Sequence, residues 1–330
     1  MQNKAQMSSA MNYLFAIIIG GIIFMFFVGF AYKFMGFSGN VNAASLVSSL
    51  NDEFAAFSAS DSAEKTLTFR QEASFRVYEG RVISNEQTQY IDHIVFAPYL
   101  IEGKEIFIST KALDIPYRVG NVFYVDDGKT LYILVYDSNT EEAVEELTGS
   151  YNSVPTNLPT LKVSVNEFGN NVEELVAAAN KYEKVRFVFF TKYDSVLSLI
   201  QGNFESYEIL QVSSSEEDYA YGNMMYPSGE QVVYLGYPLL IGAMISGDAY
   251  MYEYNLGLVE EKISRVSNVY IEKAKFLAMR LPECDYVILK SALSSYQSII
   301  GSESYSVYMN SIENVENENK KLGGGCPEVF

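Results

Sequence analysis

Residues 121–137 read NVFYVDDGKTLYILVYD. Two runs rich in Val, Ile, Leu and Tyr flank Asp127-Gly128, and such residues suit the pleated, half-buried surface of a sheet. An Asp-Gly pair between two such runs is a hairpin signal, because the tight turn needs positive φ. The stretch predicts two antiparallel strands and sets the reading of its neighbours. Upstream, TLTFRQEASFRVYEGRVI (66–83), YIDHIVFAPYLI (90–101), KEIFIST (104–110) and YRVGNVFYV (117–125) share the composition, with Glu102-Gly103 as a second turn. The expectation is an antiparallel β-rich unit of about six strands over residues 59–150. It closes with TEEAVEELTG (140–149) as a short helix and a Pro/Asn-rich linker.

Beyond residue 151 the pattern changes. TLKVSV (160–165), KVRFVFF (184–190) and YEILQVS (207–213) alternate with the helical stretches NNVEELVAAANKY (170–182) and YDSVLSLIQGN (193–203). Apolar strands alternating with helices predict an α/β unit with a mostly parallel sheet over 151–256. QVVYLG (231–236) and AYMYEYN (249–255) supply further strands. Between YEILQVS and QVVYLG, SSSEEDYAYGNMMYPSGE (213–230) reads as a long irregular surface segment. Its Tyr219, Tyr221, Met224, Met225 and Tyr226 either contact a partner, as aromatics and methionines favour, or fold back as a lid on the sheet.

Residues 257–330 are helical. Val259, Ile263, Val266, Tyr270, Ala274 and Leu277 step by threes and fours along one helix, which Pro282 ends. Two more helices follow, from Cys284 and around Tyr305, Tyr308, Ile312, Val315 and Leu322, turning at Gly301. Such a C-terminal helical hairpin returns the chain to its start, so Cys284 and Cys326 are placed to form a disulfide rather than remain two buried thiols.

Toward the N-terminus no charged residue occurs between Lys4 and Lys33, and the apolar core runs from Met11 to Tyr32. About 20 apolar residues cross a bilayer as a helix, so residues 1–35 read as an N-terminal transmembrane helix, contacting lipid through 11–32. No small-x-small site follows, so the anchor is retained. YPLLIGAMIS (237–246) is the next most apolar run and is too short to span. Met35–Asn40, with two glycines, is expected to break the helix. Leu46, Val47, Leu50, Phe54 and Phe57 then mark an amphipathic helix within 36–58, packed on the β-rich unit. Lys4 and the α-amine favour a cytoplasmic N-terminus, and a lone disulfide favours an oxidising exterior for the bulk: a single-pass protein of the cell membrane.

Chemistry is sparse. With 41 acidic against 23 basic residues the net charge is −18, which repels nucleic acid. One histidine, His93, and two distant cysteines give no zinc site and no histidine-based nucleophile with a G-x-S-x-G turn. Glu216-Glu217-Asp218 lacks EF-hand spacing for calcium. The strand-end loops lack the glycines of a dinucleotide site. No catalytic residue, cofactor or metal is expected, and protein partners or self-association are.

Lys4-Ala5-Gln6-Met7, placed before an apolar helix, resembles the archaeal class III signal of type IV pilin-like proteins. The resemblance covers about the first 60 residues and implies cleavage by a prepilin peptidase between Ala5 and Gln6. Ala10 stands where bacterial pilins carry a glutamate. Three functions follow as expectations: a membrane-anchored extracytoplasmic interaction or envelope protein without catalytic activity; a processed pilin-like or secretion-apparatus subunit; or an ectodomain with ligand or hydrolase chemistry in the α/β unit.

Overall fold

A computed structural model describes residues 2–84, 87–149, 154–214, 219–302, 304–323 and 325–330, with the side chains of 2–16 and 33–43 outside that description. Helix α1 (Gln2–Phe57) runs unbroken through Met35–Asn40. The expected break is absent because a glycine keeps its backbone N–H. It costs a helix only about 1 kcal/mol relative to alanine, which weakens without terminating. The predicted stripe is where the helix meets the body: Leu46, Val47, Leu50 and Phe54 are buried against the first sheet, with Phe57 partly buried beside them.

That first sheet has six strands in the order β3-β2-β1-β5-β6-β4. They are β1 (Ser62–Tyr78), β2 (Arg81–Ser84), β3 (Gln87–Tyr90), β4 (Ile94–Phe96), β5 (Ile101–Asp114) and β6 (Arg118–Asp126). Four pairings are antiparallel, and β4 lies parallel to β6. The β1–β2 turn is Glu79-Gly80, both at positive φ (47° and 67°), the conformation of a two-residue hairpin turn. Glu102-Gly103, expected to turn, instead lies inside β5 opposite Ser74 and Ala73, because β1 and β5 pair over most of their length.

The Asp127-Gly128 reading is corrected more deeply. Gly128 does adopt positive φ, 69°, yet the turn forms no hairpin. Strand β7 (Thr130–Tyr136) leaves for a second six-stranded sheet of order β12-β11-β10-β9-β7-β8. The other members are β8 (Thr160–Ser164), β9 (Lys184–Phe189), β10 (Tyr207–Ser213), β11 (Tyr221–Met225) and β12 (Gln231–Leu235). Strands β8, β7, β9 and β10 are mutually parallel, and β11 and β12 add an antiparallel edge. The physical reason is burial on both faces. Leu131, Ile133 and Val135 pack under α3 (Phe168–Ala179) and α4 (Leu197–Asn203), while Tyr132 and Leu134 face the central core. A hairpin partner of β6 would have left one of these rows without cover.

The central core joins the parts expected to be separate. Phe96, Val122 and Tyr124 of the first sheet, Leu134, Val188 and Leu210 of the second, and the C-terminal helices share one cluster. The boundaries at 150/151 and 256/257 therefore do not separate cores. Helix α2 (Glu141–Gly149) and helix α5 (Tyr237–Ile245) belong to it, and all nine residues of α5 are buried. A helix apolar on every side suits this central position. Tyr124 donates to the Pro238 carbonyl at 2.7 Å, and a Cβ at Gly242 would lie 2.7 Å from the Phe96 ring, so only glycine lets α5 approach β4 this closely.

AYMYEYN, expected as a strand, opens the 32-residue helix α6 (Ala249–Arg280) instead. Asp248 caps it, accepting from Met251 N at 2.8 Å. Helices α7 (Tyr286–Ser298) and α8 (Tyr305–Leu322) complete the fold. Cys284 and Cys326 are bonded, with Cα atoms 5.9 Å apart. Asn319 holds the chain end through Phe330 O and Val329 N, each at 2.8 Å.

Candidate functional site

Open parallel sheets take ligands beyond the carboxyl ends of their strands, where the strand order reverses. Here that point lies between β7 and β9, and the chain's own side chains fill it. Thr191, after β9, donates to the Asp137 carboxylate after β7 at 2.5 Å, and Asn139 N donates to it at 2.8 Å. Burial opposes the charge on Asp137, but these bonds and those from Thr140 outweigh it and hold its pKa below the usual value. Tyr219 lies across the neighbouring Phe190, ring centroids 6.0 Å apart.

The segment expected to be irregular carries strand β11, so its side chains alternate between faces. Met224 is fully buried, and Tyr226 is buried with its hydroxyl donating to Ala243 O at 2.8 Å. Tyr219 and Tyr221 are partly buried against the same core, and Met225 is half-buried at a groove beside β10. Met224 and Tyr226 thus belong to the core, while Tyr219, Tyr221 and Met225 keep part of their surface accessible. Glu216, Glu217 and Asp218 lie outside the described residues.

Sequence reasoning missed a set of buried charges where the two sheets meet. Arg186 on β9 is buried and donates to Glu208 Oε2 at 2.6 and 2.9 Å, and to the carbonyls of Met244 and Ser246 at 2.6 and 2.8 Å. Arg186 and Glu208 are register partners on parallel strands, a relation invisible until the pairing is known. Nearby Asp126 accepts from Gly128 N at 2.6 Å and Tyr132 Oη at 3.3 Å; burial pushes its pKa up to about 7. Asp127 accepts from Glu102 N at 2.9 Å. A cleft of about 280 Å³ opens over Asp127, Glu102, Lys129 and Lys184. These groups bond mainly one another and the backbone, which fits a clamp between layers.

His93 precedes β4, half-buried, its ring 5.0 Å from Phe123 and 5.7 Å from Phe54. Desolvation lowers its pKa, Asp92 opposing and Lys262 reinforcing the shift. Among the described residues no group of three His, Cys, Asp or Glu side chains could hold a metal.

Among the described residues the largest exposed apolar surface lies on α1. Large apolar side chains from Ile17 to Tyr32 are exposed on every side of the helix, Phe24 and Phe26 at 69% and Met25 at 77%. Exposed apolar surface of this extent is uncommon on a monomeric soluble protein. Among the described residues no helix is long and apolar enough to cross a membrane. The described side chains of this run cover residues 17–32, short of the roughly 20 a span requires. Ala5 and Gln6 lie within α1, and their side chains are outside the described ones. Comparison with protein-family models, curated proteins and solved structures gives no match.

Proposed function

We propose that the chain is a membrane-anchored extracytoplasmic interaction protein without catalytic chemistry. Residues 11–32 lie in the bilayer, the N-terminus is cytoplasmic, and the two-sheet body is held outside. One observation carries this reading. The same helix is apolar and exposed all round over Ile17–Tyr32, yet buries Leu46, Val47, Leu50 and Phe54 under the first sheet. A rigid helix that is greasy at one end and packed at the other serves to hold a body at a hydrophobic phase. The Cys284–Cys326 bond supports an oxidising compartment for that body.

A second reading rests on Lys4-Ala5-Gln6-Met7 ahead of the apolar stretch: a pilin-like subunit cut between Ala5 and Gln6, whose exposed apolar stretch packs on copies of itself after leaving the membrane. Two measurements on cells expressing the full chain test both. Alkaline carbonate should leave the protein in the membrane pellet, and protease added to intact cells should digest the body; release into the supernatant, or protection, contradicts the anchor or its orientation. Mass spectrometry of the N-terminus decides the second: Met1 supports the plain anchor, and Gln6 supports processing.

A further inference from the structure

The β1–β2 hairpin, the start of β6 and the middle of α6 enclose a cleft of about 610 Å³, within the range of roughly 300–1,000 Å³ typical of small-ligand sites. Phe123, Tyr254, Ile94 and Leu258 give it apolar and aromatic walls. Arg81, Lys262 and Arg265 line it together with three carboxylates, Glu79, Asp92 and Glu261. The lining carboxylates leave two of these cations without a close acid. Glu79 accepts from Tyr250 at 2.6 Å, Glu261 pairs with Arg265, and Asp92 faces Lys262 and His93 only at longer range.

Lys262 makes no ion pair among the described residues. Its stem lies across Gly120, where φ is 152° and a Cβ would sit 2.8 Å from Lys262 Cε. A glycine at this point of β6 lets the ammonium extend over the strand. Arg81 stacks its guanidinium 4.9 Å over the Tyr90 ring, and its buried Nε has no acceptor, the one such side-chain atom among the described residues. Phosphates and carboxylates are the oxygens that guanidinium and ammonium groups recognise best.

We propose that this cleft binds a small soluble ligand bearing a phosphate or carboxylate, with Arg81 and Lys262 as its cationic partners. His93 lies at its side, and the aromatic walls cover its apolar part. Ser58, at the rim, lies roughly 39 Å along the α1 axis beyond Tyr32 at 1.5 Å per residue. Headgroups of a bilayer holding residues 11–32 are therefore out of reach; this choice of a soluble source rests on the anchor reading, and the anion site does not.

The single histidine makes the test direct, because every imidazole resonance of the labelled chain comes from one ring. The full chain, labelled at histidine and held in detergent micelles, is titrated with inorganic phosphate and separately with glucuronate, ionic strength being kept constant with chloride. The expected result is a saturable shift of the His93 signal with at least one of them. Lys262→Gln and Arg81→Gln should each weaken half-saturation by about tenfold or more, as for loss of a charge-assisted bond. A drift linear in concentration, or a shift unchanged in both variants, overturns the proposal. So does a response confined to vesicles containing phosphatidic acid. A failure here leaves the anchor standing, since carbonate extraction is read on the unliganded chain.

Discussion

Replacing Arg186 by Met removes the cation that joins the parallel sheet to the end of α5. Methionine approximates the apolar stem, so packing is largely kept and the loss is polar. Glu208 is not stranded: it retains Lys184 at 2.5 Å and its side chain is 27% exposed. The buried carbonyls of Met244 and Ser246 lose their donor, at about 1–3 kcal/mol each. Relief of the guanidinium's own desolvation offsets part of this, leaving about 3 kcal/mol, the low end for breaking a buried pair. With no tryptophan and 26 tyrosines, urea unfolding followed by tyrosine fluorescence reads the change. The carbonyl account further requires Glu208→Gln to cost clearly less than Arg186→Met, and the double variant to cost little more than Arg186→Met alone. A loss below about 1 kcal/mol, or equal single-variant losses, refutes the reasoning.

Asp126, with its pKa raised to about 7 by burial, holds its proton in the folded state where the unfolded chain, near 4, has lost it. Its stabilisation is full below about pH 4 and declines as pH rises to about 7, by up to roughly 1.4 kcal/mol per unit. The stability difference between wild type and Asp126→Asn should fall over that window and level off above it, measured by urea midpoints across pH. Phe54→Ala, removing a fully buried ring 5.0 Å from Phe123, should cost about 3–5 kcal/mol and detach α1 from the first sheet, seen as faster amide exchange over 46–57. Reducing Cys284–Cys326, which closes a separation of 42 residues, should lower stability by about 4 kcal/mol on the chain-entropy account, read as the midpoint shift with and without reductant.

Local features were legible in the sequence, and relations between distant segments mostly were not. The Leu46–Phe54 stripe, the β8–α3–β9–α4–β10 alternation and the cysteine pairing each follow from a spacing or a length within one stretch. The Asp127-Gly128 turn has its expected φ, but a turn does not determine which sheet receives the next strand. The signal was present: TLYILVY is apolar on both faces, as KVRFVFF is, and that pattern belongs inside a covered parallel sheet. Likewise Asp248 ahead of AYMYEYN is a helix cap, overshadowed by the strand-like aromatics that follow. Arg186–Glu208 and the Arg81–Lys262 cleft depend on register and on packing between layers, for which one sequence holds no marker.

The account turns on where the apolar third of α1 resides. The chain has no free cysteine among its described residues, so a nitroxide attached through Phe24→Cys is site-specific. With the full chain in lipid vesicles, power saturation should find this label more accessible to oxygen than to a water-soluble nickel chelate. A label at Asp61, whose side chain is 64% exposed on the body, should show the opposite order. Equal access of the nickel chelate to both positions would contradict the anchor.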